Sequence, residues 1–189
     1  MINKFTHYQQ PDEMACGATC LRMIAKHYGK NYKTKELVQV SGTTREGTNL
    51  EGLNIAAEKI GFRTLGVKVP FNKLVEDAPL PCIAHWNQNH FVVIYKIKKN
   101  KIYVADPAHG LLVYTKEDFF KSWVSDGKDE GILLLLEPTP DFYTDKLEEK
   151  SKDYAGRLAE VYARAKDAST LSPPVTYPRV YPFNAPAGS

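Results

Sequence analysis

Residues 10–29 read QPDEMACGATCLRMIAKHYG, and this stretch predicts where the first helix of the chain begins. Pro11 and the polar residues after it do not extend a helix backwards. Behind them, apolar residues such as Leu21 and Ile24 recur at the three- and four-residue spacing of one buried helical stripe. Gly29 then supplies the stop expected at a helix C-terminus. The stretch therefore predicts an irregular lead-in followed by an amphipathic helix.

Cys16 stands where the irregular segment becomes helical. A thiol on the first turn lies among unpaired backbone N–H groups at the positive end of the helix dipole, which favours the thiolate. The thiolate is the nucleophilic form, so Cys16 is a candidate catalyst. A lone cysteine is weak evidence, because free cysteine is among the most buried residue types and often behaves as a small hydrophobe. The hypothesis therefore depends on partners elsewhere in the chain.

Two later segments carry the residue types that a nucleophilic thiol needs. The segment PCIAHWNQNHFVVIYKI contains a polar turn and then an apolar β-type run that begins at His90. The segment KIYVADPAHG predicts a second strand that ends at Asp106, where Pro107 closes it. This order of cysteine, histidine and acid is that of a thiol protease triad. The order alone is weakly specific, since Asp-Pro is also typical of a plain turn.

The full strings resemble a known family, the bacteriocin-processing peptidases. These are papain-like domains, usually at the N-terminus of ABC exporters, that cleave double-glycine leader peptides. The resemblance extends from about Phe5 to Pro138 and so covers most of the chain. The matching residues are Gln10, Cys16-Gly17, Cys20, Leu21, Met23-Ile24, Tyr28-Gly29, Trp86, His90-Phe91-Val92-Val93 and Asp106-Pro107.

By that resemblance, Cys16 is the nucleophile and His90 is the general base. The resemblance further implies that Asp106 orients the imidazole and that Gln10 donates to the oxyanion. Family members often carry Asp directly before the nucleophile, whereas this chain has Ala15 there. That position is not part of the triad, so the resemblance still implies an active peptidase.

The resemblance implies peptide hydrolysis through a thioester, with cleavage after a Gly-Gly or Gly-Ala pair of a leader peptide. The implied partners are that leader peptide and the membrane and ATPase domains of an ABC exporter, and no cofactor is implied. Two other functions stay open. One is a non-catalytic peptidase-like module that docks export substrates, although such modules have lost the nucleophile. The other is a papain-like acyl transferase, in which an amine or a thiol replaces water.

Composition narrows the remaining function classes. A net charge of +3 on 189 residues, with scattered lysines and arginines, gives no case for nucleic-acid binding. No run resembles a signal peptide or approaches the roughly 20 apolar residues of a membrane span, so we expect a cytoplasmic location. The three cysteines have no framework or zinc-site spacing, which predicts a reducing compartment and no metal site. The remaining histidines are expected on the surface: His7, His27, His85 and His109.

Helical patterns come first and β patterns follow, which predicts an α+β domain with N-terminal helices packed on an antiparallel sheet. That is also the papain-like arrangement. We predict helices over 34–40 with Thr34 as N-cap, over 50–60 with Asn49 as N-cap, and after Thr115. The last of these should bury Phe119, Phe120 and Trp123. The predicted strands are 62–69, 82–86, 91–97, 102–105, 111–114 and 131–137.

The sequence predicts three regions. Residues 1–140 form the papain-like peptidase domain. Residues 141–168 form an amphipathic helical extension, because apolar residues such as Tyr154 and Leu158 fall on one face of a highly charged segment. Residues 169–189 are rich in proline and should be extended or disordered.

Overall fold

One antiparallel sheet of six strands organises the computed structural model, which describes residues 5–44, 47–124 and 129–144. The predicted helical extension beyond Thr144 and the proline-rich tail lie outside the described residues. In chain order the strands are β1 (Phe62–Pro70), β2 (Cys82–Trp86), β3 (His90–Lys98), β4 (Lys101–Asp106), β5 (Gly110–Thr115) and β6 (Glu130–Pro138).

The spatial order of the strands is β1-β6-β2-β3-β4-β5, so the last strand lies between the first two. Strands β2 to β5 are consecutive antiparallel neighbours, which confirms the hairpins predicted around Asn100 and His109. Strand β6 pairs with β1 along its whole length, from Phe62 opposite Pro138 to Pro70 opposite Glu130. Its other edge pairs with β2.

Helices cover both faces of the sheet. On one face lie α1 (Cys16–His27), α2 (Thr34–Val40) and α3 (Leu50–Lys59), and on the other lie α4 (Phe71–Glu76) and α5 (Lys116–Trp123). The predicted α+β class with N-terminal helices on an antiparallel sheet is confirmed. Within the described ranges, no helix is long and apolar enough to cross a membrane.

The all-apolar run of β3 is explained by two cores, one on each face of the sheet. Phe91 and Val93 point into the core beneath α1, whereas Val92 and Ile94 point into the core beneath α5. Successive side chains of a strand alternate between faces, so a strand that is covered on both sides must be apolar throughout. The same argument applies to the ILLLL run of β6.

Two of the three predicted N-caps are confirmed. The Asn49 side chain accepts a hydrogen bond from the Gly52 backbone N–H at 2.7 Å, and Thr115 accepts one from the backbone of Asp118. The prediction of Thr34 as an N-cap is wrong, because α2 begins at that residue and Lys33 precedes it as N-cap. The Thr34 hydroxyl instead accepts a hydrogen bond from the guanidinium of Arg22 on α1.

One detail of the core beneath α5 differs from the prediction. Phe119 and Trp123 of α5 are fully buried, as predicted. Phe120 is only half-buried, because it lies at the edge of the helix face, with its ring centroid 5.1 Å from that of Phe71. Beyond β6, a 3₁₀ turn (Pro140–Tyr143) brings Phe142 into the core beneath α1. There the ring centroids of Phe142 and Phe62 lie 4.5 Å apart.

The close approach of that turn to Gly61 predicts a measurable difference between two glycines. Gly29 and Gly61 both end helices with positive φ, at +94° and +97°. A Cβ on Gly29 would meet nothing within 4 Å, whereas one on Gly61 would overlap the backbone of Phe142. We expect Gly29→Ala to lower the free energy of unfolding by about 1–2 kcal/mol. Gly61→Ala should cost roughly 1–3 kcal/mol more, because backbone has to move.

Chemical denaturation of both variants measures the difference. Equal losses of stability would contradict the packing of the 3₁₀ turn against Gly61.

Candidate active site

Cys16 is the first residue of α1, as predicted, and only 4% of the residue is exposed. The preceding residue, Ala15, provides no side-chain cap to the helix. The N–H groups of the first turn are therefore not taken up by a capping side chain, and the positive end of the helix dipole acts on the thiol. Upstream, the Asp12 carboxylate accepts from the backbone N–H of Met14 and shapes the short turn that leads into α1.

The first turn of α1 lies against the start of β3. The Cys20 thiol donates to the backbone carbonyl of Phe91 at 3.2 Å. A Cβ on Gly17 would lie 2.6 Å from Leu53 Cδ1 and 3.3 Å from Phe91, so only glycine allows this approach without displacing either side chain. Cys20 is completely buried, which raises the pKa of its thiol well above the ordinary value and keeps it protonated. Cys20 is therefore a residue of the core beneath α1.

His90 and Asp106 form a hydrogen-bonded pair where β3 begins and β4 ends. His90 Nε2 lies 2.8 Å from Asp106 Oδ1, and the side chains are 19% and 4% exposed. The ionised carboxylate can only accept, so Nε2 of His90 carries a proton. The Cys16 thiol lies close enough to the same imidazole to raise its pKa. The structure thus joins the three predicted residues in one series: thiol, imidazole and carboxylate.

The electrostatics of the pair favour two opposite charges. Burial lowers the pKa of His90, but hydrogen bonds with Asp106 and Cys16 outweigh it and raise the pKa to about 9. Burial raises the pKa of Asp106, but donors from His90, Ala108 and His109 outweigh it and lower the pKa to about 2. At neutral pH the site therefore holds an imidazolium beside a carboxylate.

Gln10 lies beside the loop that follows Asp106, in an N-terminal arm formed by residues 5–10. Its backbone N–H donates to the carbonyl of Pro107 at 2.9 Å. Its side-chain oxygen is buried and has no hydrogen-bond partner among the described residues. Two more hydrogen bonds join the arm to this loop: His7 Nε2 to the Asp106 carbonyl at 2.8 Å and Gln9 Nε2 to the Ala108 carbonyl at 2.9 Å.

His7 and His109 were expected on the surface without partners; His109 is exposed as expected, but both residues contact Asp106. His109 Nδ1 lies 2.9 Å from Asp106 Oδ2, although 70% of the His109 side chain is exposed. A signal for His109 exists in the sequence, since it follows Asp106 by three residues across a tight turn. None exists for His7, which lies 99 positions away.

A groove of about 480 Å³ opens between the α2–α3 connection and the β2–β3 turn. Phe91, next to His90, forms part of its wall. The groove is lined by Gly42, Thr44, Gly47, Thr48, Asn49, Leu50, His85, Gln88, Asn89, Phe91 and Ile132. Across the described ranges, no cluster of three or more His, Cys, Asp or Glu side chains is arranged to hold a metal ion.

A thiol at a helix N-terminus, an imidazole on one strand and a carboxylate on the next are the parts of a cysteine peptidase site. The chain belongs to the Peptidase C39 family, whose model matches residues 4–141. This match confirms the family inferred from the motifs, together with the class of cysteine peptidase.

Named relatives and solved structures agree with this assignment. The chain is 39% identical over 140 residues to the lactococcin-G-processing and transport ATP-binding protein LagD of Lactococcus lactis, covering 71% of this chain and 19% of LagD. A double glycine motif protease from an AMS/PCAT transporter, solved with the leader peptide, matches with a TM-score of 0.67 at 32% identity, over 72% of this chain and 93% of that one. The peptidase domain of Streptococcus ComA matches with a TM-score of 0.65 at 29% identity, over 72% and 100%.

The chain therefore spans about a fifth of the length of the curated relatives that it matches.

The two shifted pKa values predict how stability depends on pH. His90 has a raised pKa of about 9 against an ordinary 6.5, so its stabilising contribution is complete below 6.5 and is lost as pH rises through 9. Asp106 has a lowered pKa of about 2 against 3.8, so its contribution is present above 3.8 and is lost as pH falls through 2. We expect the contribution of this pair to unfolding free energy to be greatest between pH 4 and 6.5.

Denaturant titrations from pH 2 to 10 measure this profile. His90→Gln should remove the decline between pH 6.5 and 9. As a control, His27→Gln should leave that decline in place, because burial lowers the pKa of His27 and its titration falls at lower pH. An unchanged decline in His90→Gln would contradict the pairing.

Proposed function

We propose that this chain is a cysteine endopeptidase that removes leader peptides from secreted peptide precursors by cleaving after a Gly-Gly or Gly-Ala motif. The observation that carries the proposal is the 2.8 Å hydrogen bond between His90 and Asp106, with the Cys16 thiol close enough to the same imidazole to raise its pKa. The likeness to a double glycine motif protease solved with a leader peptide supports the substrate class.

The proposed reaction begins with proton exchange between Cys16 and His90. Because the pKa of His90 is about 9, the imidazole holds a proton at neutral pH, and the Cys16 sulfur lies beside that positive charge and at the positive end of the α1 dipole. The sulfur attacks the scissile carbonyl, and the resulting tetrahedral intermediate collapses to a thioester as His90 protonates the leaving amine. His90 then accepts a proton from water, which attacks the thioester and releases the new carboxylate.

Asp106 and Gln10 have supporting roles in this scheme. The Asp106 carboxylate holds Nε2 of the imidazole and stabilises the imidazolium, so that Nδ1 stays directed at the thiol. The Gln10 side-chain amide and the Cys16 backbone N–H are the proposed donors to the oxyanion. The anchoring of Gln10 to the Pro107 carbonyl supports this role, since it holds the residue at the Asp106 end of the site.

The proposed partners are a double-glycine leader peptide and the membrane and ATPase domains of an ABC exporter. LagD is by its name a processing and transport ATP-binding protein, and the chain covers 19% of it. In this proposal the peptidase acts on the cytoplasmic side of the membrane. The groove lined by Phe91, which follows His90 in the chain, is the proposed place for part of the substrate.

Two alternatives use the same fold. A non-catalytic docking module needs no thiol, so the intact series of catalytic groups favours hydrolysis over docking. A papain-like acyl transferase would form the same thioester and pass the acyl group to an amine or thiol. Only the mass of the product separates transfer from hydrolysis.

Cleavage of a synthetic double-glycine leader peptide tests the proposal. We expect the parent chain to release a product ending in the glycine pair with a free carboxylate, which mass spectrometry identifies. Cys16→Ala should abolish cleavage, because the nucleophile is lost. Cys82→Ala is the matched control, because the Cys82 thiol is buried in the core beneath α5, on the other face of the sheet. This variant should still cleave the peptide.

The outcomes separate the three functions. Binding without cleavage by both parent and Cys16→Ala would favour the docking module. A product carrying an added amine or thiol would favour the transferase.

The proposed oxyanion donor can be tested by a second pair of variants. Gln10→Ala should lower kcat by about 10²–10³, since it removes one donor to the developing negative charge. KM should change little, because the contact strengthens only in the transition state. The control is Gln39→Ala, which alters an exposed glutamine of α2 and should leave kcat within twofold of the parent. Similar kcat values for both variants would contradict the role of Gln10.

A further inference from the structure

We propose that His109 is a positioning residue that holds the second oxygen of the Asp106 carboxylate and thereby fixes the orientation of His90. This inference rests on the proposed function, because it concerns the same thiol and imidazole. It assigns a role to an exposed histidine that touches neither Cys16 nor the proposed oxyanion site.

The two oxygens of Asp106 have different partners. Oδ1 accepts from His90 at 2.8 Å and from the backbone N–H of Ala108 at 2.8 Å. Oδ2 accepts from His109 Nδ1 at 2.9 Å. The carboxylate plane is therefore held on both sides, by one histidine on each oxygen. Without His109, the only described side-chain donor to Oδ2 is lost, and the group is anchored through Oδ1 alone.

A carboxylate anchored through one oxygen can turn about its Cβ–Cγ bond. Such a turn would move Oδ1 relative to His90 Nε2, and a displacement of about 1 Å in a catalytic constellation can reduce the rate by as much as 10²-fold. The Asp106 side chain is 4% exposed, so few water molecules can replace a missing donor. A donor on Oδ2 consequently matters more here than at an exposed carboxylate.

The backbone around this carboxylate is already restrained, so the side-chain plane is the remaining freedom. The Asp106 carbonyl accepts from His7 Nε2 at 2.8 Å and also from the His109 N–H at 3.2 Å. Gly110, at φ +102°, then turns the chain into β5. This turn brings His109 Nδ1 within hydrogen-bond distance of Asp106 Oδ2.

Other titratable groups face Asp106 and bear on any pH dependence. His90 on β3 and His7 on the arm contact the residue directly. Burial raises the pKa of Tyr114 on β5, and the charge of Asp106 raises it further. Burial and the neighbouring Cys16 raise the pKa of Cys20 on α1, and the charge of Asp106 adds to that effect. Both stay neutral near pH 7, so His90 is the group whose positive charge the Asp106 carboxylate stabilises in the working range.

Two substitutions separate the hydrogen bond of His109 from its bulk. His109→Ala removes the donor, whereas His109→Asn places a side-chain amide N–H close to the position of Nδ1. We expect His109→Ala to lower kcat for leader cleavage by about 5–10-fold with KM unchanged, the scale of one partly exposed hydrogen bond to a charged group. His109→Asn should recover most of that loss.

The pH profile gives a readout that a purely structural role would not move. Alkylation of Cys16 by iodoacetamide, followed by mass spectrometry from pH 5 to 10, reports on the thiolate and the imidazolium without any peptide substrate. If Asp106 holds His90 less well in His109→Ala, the pKa of His90 falls towards its ordinary value. The alkaline limb of the profile should then move to lower pH, and His109→Asn should return it.

The outcomes are distinct. Parent-like behaviour of His109→Ala in both assays overturns the proposal, and so does equal impairment of the Ala and Asn variants, which would implicate the ring instead of its hydrogen bond. Thermal unfolding of both variants checks that the fold is retained. If the parent cleaves no leader peptide but His109→Ala alone shifts the alkylation profile, the proposed function fails while the positioning role stands.

Discussion

A buried carboxylate between two histidines is the interaction on which the site depends. Asp106 is almost inaccessible to water, and burial without partners would drive it to the neutral form. Donors from His90, Ala108 and His109 reverse that tendency and keep the group ionised. The ionised group in turn keeps a proton on His90 at neutral pH. The positive charge of His90 at neutral pH therefore depends on this carboxylate together with the Cys16 thiol.

The fold makes this arrangement possible by joining two kinds of element. His90 and Asp106 come from neighbouring strands of one sheet, so ladder hydrogen bonds set their separation. Cys16 comes from a helix on one face of that sheet, and the bond from Cys20 to Phe91 sets how close its first turn approaches β3. A strand pair supplies the proposed base and its partner, and a helix terminus supplies the proposed nucleophile with a favourable dipole.

Much of the local structure could be predicted because it depends on short-range patterns. Periodicity, capping residues and turn residues predict the helix starts at Cys16 and Leu50, the caps at Asn49 and Thr115, and the hairpins of β2 to β5. One capping prediction is wrong, and its cause is also a short-range hydrogen bond. Thr34 has a capping side chain, but Glu36 accepts from the backbone of Lys33 and the helix is capped one residue earlier.

The sequence by itself determined the order of the catalytic residues, their element types and the family to which they belong. Only the tertiary structure decided that β6 lies between β1 and β2, since pairing of distant strands leaves no short-range signal. It also decided that the arm carrying His7 contacts the loop after β4, across 99 positions. Local hydrogen bonds and periodicity act between near neighbours in the chain, whereas the environment of Asp106 is built from contacts that exist only once the chain has folded.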